Sequence, residues 1–199
     1  MFSFFRIRNF RSILDMTVNF SFAEKRAPAG FAESETVFFI EPKKRVRLVP
    51  VLALYGSNAS GKSNVLMALH TFRECVLSGI EGKFHPDKLH PAQDASTVFE
   101  ASFVVDGKGF IYEFAYDRDE IRHESLSVDG VPVFSTDTGT GCFDALATSA
   151  YPASRLNEIF RVECNTPKHK QTASFLSVIG KRYPGLSPLL TAVYDYIDE

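Results

Sequence analysis

Gly56-Ser57-Asn58-Ala59-Ser60-Gly61-Lys62-Ser63 is the stretch on which the reading of this chain turns. It matches G-x-x-x-x-G-K-[ST], the pattern of a phosphate-binding loop. Ahead of it runs Val51-Leu52-Ala53-Leu54-Tyr55, an unbroken apolar segment of the kind that forms a parallel strand buried on both faces. Behind it, Val65, Leu69, Phe72 and Val76 recur at helical spacing up to Gly79. A strand, a glycine loop and a helix are what phosphate binding requires. Backbone N–H groups of the loop and of the helix N-terminus converge on one spot and hold a polyphosphate there. The glycines permit backbone angles and a close approach that a side chain would block.

The 199 residues fit one domain with a sizeable core, and 45% apolar with 23% charged residues is ordinary for a globular chain. A net charge of −2 gives no global sign of a nucleic-acid or membrane-surface binder. Cys75, Cys142 and Cys164 are scattered and odd in number, which argues for reduced thiols and against a disulfide scaffold or zinc site. No apolar run reaches the ~18 residues of a membrane span, and Met1 to Arg6 lacks the layout of a signal peptide. The expectation is a cytoplasmic protein with no membrane partner.

Outward from the loop, residues 2–10 and 14–20 read as an antiparallel strand pair, with Leu14, Met16, Val18 and Phe20 alternating on one buried face. Residues 21–35 read as a surface loop, and 36–40 and 46–49 as short strands. Pro50 stands at the first position of the phosphate-loop strand, where proline is tolerated. Residues 83–94 read as a connector. A β meander over 97–134 follows, turning at 106–109, at Asp117-Arg118-Asp119 and at Asp129-Gly130. Residues 135–150 read as a mobile loop, and 151–199 as the start of a helical subdomain. Thr166-Pro167 and Ser187-Pro188 each offer a cap followed by a proline at the first helical position. Phe175, Leu176 and Ile179 make one apolar stripe; Leu189, Leu190, Val193 and Ile197 make another.

Two motifs together resemble a known family. Phe4-Phe5-Arg6-Ile7-Arg8-Asn9-Phe10-Arg11-Ser12-Ile13 is similar to the opening strand of ABC-type ATPase heads of the SMC, RecF and OLD kind, with their Asn-Phe-Arg-Ser turn. Tyr55 through Asn64 resembles the same group's Walker A, above all in the bacterial AAA-family ATPases of abortive infection and phage defence. Leu48-Val49-Pro50 and Glu124-Ser125-Leu126 also match elements that recur there. The resemblance implies an α/β P-loop NTPase fold. Residues 1–134 would be the N-terminal lobe of a head, with the strand-loop-helix at 50–79. It implies ATP and Mg²⁺ as cofactors, held by Gly56, Ser57, Asn58, Ala59, Ser60, Gly61, Lys62, Ser63 and Asn64. Lys62 would be the catalytic residue that neutralises β/γ-phosphate charge, and Ser63 the metal ligand. Asn64 would contact phosphate or cap the helix; Arg11 would reach the nucleotide or stand as an exposed turn arginine. The implied partners are a second head across sandwiched ATP, and an effector nuclease or toxin gated by that dimerisation.

The departures from the family are equally informative. Such heads carry a Walker B strand ending in Asp-Glu and a Ser-Gly signature helix, and residues 1–199 offer neither. Phe103-Val104-Val105-Asp106 reads as a hairpin and Leu77-Ser78-Gly79 as a helix stop. The resemblance therefore implies the N-terminal half of a head that binds ATP and does not turn it over unaided. Asp106 and Glu100 are the first candidates for an overlooked catalytic acid. A small-molecule or nucleotide kinase and a non-hydrolysing nucleotide-binding scaffold are the alternatives. Lys43-Lys44-Arg45-Val46-Arg47 reads as a solvated hairpin face, with a DNA-contacting edge as the other reading. His85 and His90 lack metal-ligand spacing.

Overall fold

The computed structural model describes residues 1–21, 37–41, 44–49, 51–87, 96–138, 140–143, 153–164 and 170–199. Its centre is an antiparallel sheet. The strands are β1 (Phe2–Phe10), β2 (Ile13–Asn19), β5 (Thr97–Val105), β6 (Lys108–Tyr116), β7 (Ile121–Val128), β8 (Val131–Asp137) and β9 (Thr140–Phe143). They lie in the order β2-β1-β5-β6-β7-β8-β9. A separate hairpin, β3 (Val37–Glu41) and β4 (Lys44–Arg47), passes close to β6. The long helix α1 (Lys62–Ser78) starts in the phosphate-loop motif. Later come α2 (Ala153–Ile159), a π-helical turn Phe160–Cys164, α3 (Phe175–Arg182) and α4 (Pro188–Asp198).

The meander forms where turn chemistry asks for it. Asp106 and Gly107 have φ of 49° and 76°, and Asp129 and Gly130 have 49° and 79°. Two successive left-handed residues match the twist of the strands they join, and Asp-Gly supplies them at least cost. Period-two alternation then puts Phe5 and Ile7 of β1, Phe99, Ala101 and Phe103 of β5, and Tyr112 and Phe114 of β6 in the core. Helix α1 lies on this face. Its Phe72 ring stands 5.5 Å from Phe5, 6.0 Å from Phe99 and 5.9 Å from Tyr112. Tyr196 of α4 stacks on Phe103 at 4.8 Å, and Phe175 of α3 meets Phe134 edge-on at 5.3 Å. Much of the phenylalanine content is therefore the packing layer between one sheet and its helices.

Both helix ends read from sequence hold. Ser187 accepts the N–H of Leu190 with Pro188 in the first turn, and Gly79, at φ 86°, stops α1. For α3, Ser174 is the cap and accepts the N–H of Ser177 at 2.9 Å. The Thr166-Pro167 start lies outside the described residues, as do Pro50, His90, residues 144–150 and most of the 21–35 loop.

Three expectations need correction. Residues 135–143 are not simply a loop: β8 continues to Asp137, and β9 pairs with it through Ser135–Cys142 and Thr136–Gly141. The β2 face is only half buried. Met16 pairs with Ile7 and Val18 with Phe5, so both share the core face; yet Met16 is 39% and Leu14 52% exposed, because β2 is the sheet edge. The largest correction concerns residues 51–55, which form no strand, and no described residue pairs with their backbone. Val51 is 80% and Tyr55 91% exposed, with Leu52 and Leu54 also open. An apolar run becomes a buried strand only where neighbouring strands accept its hydrogen bonds and cover its faces.

Candidate functional site

The phosphate-loop residues sit between that unpaired segment and α1. Ala59 has φ 62° and Gly61 φ 91°, so left-handed residues turn the chain just before the helix, the kind of backbone from which anion-binding concavities are built. A Cβ at Gly56 would stand 2.8 Å from Ser60 Oγ, so a larger residue there would force the Ser60 hydroxyl to move. The N–H groups of Asn64 and Val65 reach Gly61 O at 2.9 and 3.3 Å. No side chain caps α1, and no acidic residue lies in its first turn. Orphan donors and the positive end of the helix dipole thus face an open concavity of about 180 Å³ lined by residues 59–64.

Lys62 folds back over its own loop. Its Nζ donates to Gly56 O at 2.8 Å, Ser57 O at 2.6 Å and Ser60 Oγ at 3.2 Å. The ammonium therefore bridges three positions of the loop and closes it into a ring. Ser63 is exposed at the start of α1. Among the described residues no group of three or more His, Cys, Asp or Glu is placed to hold a metal ion. A divalent cation here would thus be held chiefly through a ligand's phosphate oxygens and Ser63. The donor set fits a polyphosphate: main-chain N–H groups, one ammonium, a hydroxyl and no carboxylate.

The remaining site expectations divide. Asn64 does not cap α1; its Nδ2 donates to Ser12 Oγ at 2.7 Å, across 52 residues of sequence. This contact docks the β1–β2 turn against the loop and was missed by sequence reasoning, since no spacing rule pairs these two residues. Arg11 has φ 54°, its N–H donates to His85 O at 2.7 Å, and its guanidinium lies over the Phe10 ring at 5.8 Å. Those contacts place the arginine next to the Ser12 that touches the loop. His85 is exposed. Asp106 is a turn residue, and Glu100 pairs with Arg6 and Glu113 on the sheet face opposite α1. Burial and the neighbouring Glu113 raise the Glu100 carboxyl above its ordinary range. Facing away from the helix that carries the loop, it is not placed to act there.

Away from the loop, Glu124 is a fully buried acid. Its Oε2 accepts the N–H of Phe175 at 2.7 Å, and its Oε1 accepts the N–H of Leu176 and the Tyr112 hydroxyl, each at 2.9 Å. Burial pushes its carboxyl up to about 7, against the pull of these three donors. Cys75 and Cys164 are free and buried, and burial raises both thiols, so neither is a reactive group. No helix among the described residues is long and apolar enough to cross a membrane.

No protein-family model matches the chain, and no curated protein matches it either.

Proposed function

We propose that the chain is the nucleotide-binding lobe of an ABC-type ATPase head, of P-loop NTPase fold, taking ATP with Mg²⁺ at residues 56–64. One observation carries the reading. The motif residues form a ring of left-handed turns closed by Lys62, at the uncapped N-terminus of a seventeen-residue helix. Lys62 would pass from the loop carbonyls to the β/γ-phosphates, Ser63 would join the Mg²⁺ shell, and the main-chain N–H groups would hold the bridging oxygens.

A second observation supports a site that other protein completes. Ten large apolar side chains stand exposed among the described residues, and eight of them lie on the three elements around the loop. Four belong to residues 51–55; the others are Leu14 and Met16 on β2, and Leu66 and Met67 on α1. Exposed apolar surface on the elements next to the loop suits a face that another body of protein covers. A lobe with a Walker B strand and a signature helix would pair with 51–55, supply the water-orienting acid and permit hydrolysis. Two such heads would close on ATP and gate an effector, in phage defence or nucleic-acid metabolism.

Calorimetry with ATP·Mg²⁺ on the chain and on Lys62→Ala tests the reading. Loss of one charge-assisted phosphate contact is expected to weaken binding ~10- to 150-fold. Equal affinity in the two proteins would remove the assignment of this loop.

A further inference from the structure

We propose that Ser12 is a positioning residue for the phosphate loop, gripping it through Asn64 so that the β1–β2 turn and the loop form one body. The inference rests on the nucleotide-binding reading and adds to it the element that holds the loop in register.

The loop's attachments make the case. On its N-terminal side the chain arrives through residues 51–55, which have no paired strand among the described residues. Within the loop the bonds are internal: Lys62 to Gly56, Ser57 and Ser60, and Ser60 N–H to Ser57 O at 3.3 Å. Such bonds shape the ring without fixing it to the sheet. Packing of α1 anchors the C-terminal side, beginning at Val65. Between these stands the Asn64–Ser12 hydrogen bond. The Ser12 hydroxyl also lies 3.9 Å from where a Cβ on Gly61 would be, against the residue that turns the loop into the helix.

A grip needs a fixed hand, and the turn is fixed. Asn9 stands at φ 52°; its Oδ1 accepts Asp87 N–H at 2.9 Å and its Nδ2 donates to Ser96 O at 3.1 Å. Thr97 Oγ1 donates to Asn9 O at 2.8 Å, and Arg11 N–H donates to His85 O at 2.7 Å. The backbone on the N-terminal side of Ser12 is thus tied both to residues 85–87, beyond α1, and to the start of β5. Ser12 accepts from Asn64, so the grip is a single hydrogen bond from the loop side to the turn.

The test is a double-mutant cycle on ATP affinity, with Ser12→Ala, Asn64→Ala, the double variant and Ser12→Thr, each also melted without nucleotide. Each single alanine is expected to weaken binding about 3- to 10-fold. The double variant should bind no worse than the weaker single, and Ser12→Thr, which keeps the hydroxyl, should stay within about twofold of the parent. Nucleotide-free melting temperatures should not separate the five proteins. Additive losses, or melting shifts with affinity unchanged, overturn the inference. If the parent binds ATP and Lys62→Ala does not, while the Ser12 and Asn64 variants bind fully, this inference falls alone. A parent chain that binds no ATP takes both readings down.

Discussion

The carboxylate of Glu124 in β7 accepts the backbone N–H of Phe175 at 2.7 Å, joining the meander to the first turn of α3 inside the core. Leu176 N–H and the Tyr112 hydroxyl complete its shell. Next to it, the α3 cap Ser174 donates to Val76 O of α1 at 2.8 Å, and Ile80 N–H donates to Thr172 O at 3.1 Å. The end of the phosphate-loop helix, the meander and the C-terminal helices therefore meet around one buried acid. Two helix N–H groups that would otherwise be orphaned find their acceptor there, while burial still favours the neutral acid over the carboxylate.

Glu124→Ala should be among the most damaging single substitutions in the chain. It strands two helix N–H groups and a tyrosine hydroxyl away from water, which costs about 3–5 kcal/mol. Denaturant unfolding of parent and variant measures this directly. A loss under ~1 kcal/mol would mean that the α3 terminus is not held as described.

The same residue makes stability depend on pH with a definite sign. Its folded-state value, about 7, lies above the ordinary 4.5, so the native chain takes up the proton before the unfolded chain does. The contribution is fully present below pH 4.5 and is lost as pH rises through 7. Its size is about 3 kcal/mol. Unfolding free energies measured between pH 5 and pH 8 should fall across that window, and Glu124→Gln should flatten the profile. A parent profile that rises over the same window contradicts the assignment.

Helices α3 and α4 approach so closely at Gly180 that a Cβ there would stand 2.2 Å from Tyr194 Cγ. Alanine, usually the better helix residue, should therefore destabilise here by about 1–3 kcal/mol through overpacking. Gly180→Ala combined with Tyr194→Ala should recover part of the loss in thermal melts. A stabilised Gly180→Ala would show that the helix pair opens freely.

What could be read from sequence was what short-range backbone chemistry decides. Asp106-Gly107, Asp129-Gly130, Gly79 and Ser187-Pro188 each do locally what their residue types demand, so the meander and the helix ends were legible. Residues 51–55 were misread because their strand character depends on partners that no local pattern encodes, and Leu14 and Met16 because alternation does not reveal a sheet edge. Strand β9 was hidden by small residues with little pattern. At the candidate site, spacing alone singles out the glycines and Lys62, which the fold brings into one loop. Asn64's bond to Ser12 was not legible, and neither was Glu124's bond to α3; both join residues more than fifty positions apart.

The exposed apolar face around residues 51–55 yields the last prediction. Tyr55 is 91% and Leu54 39% exposed, and neither backbone is paired among the described residues, so Leu54→Lys with Tyr55→Lys should cost at most ~1–2 kcal/mol of unfolding free energy, from the part of Leu54 that is covered. The parent should nonetheless behave as a chain with an uncovered interface: concentration-dependent sedimentation and binding of a hydrophobic dye, both reduced in the double variant. ATP affinity should survive, because the two side chains precede the ring of N–H groups rather than form it. Hydrolysis that depends on a completing lobe should fail, since lysines at 54 and 55 bring unpaired charge into the face where that lobe would pair. Three readouts thus separate three tasks: folding, phosphate binding and completion of the site. Should the double variant unfold readily, residues 51–55 already serve the core of this chain. Should it hydrolyse ATP as the parent does when the lobe is supplied, the apolar face is not where the site is completed.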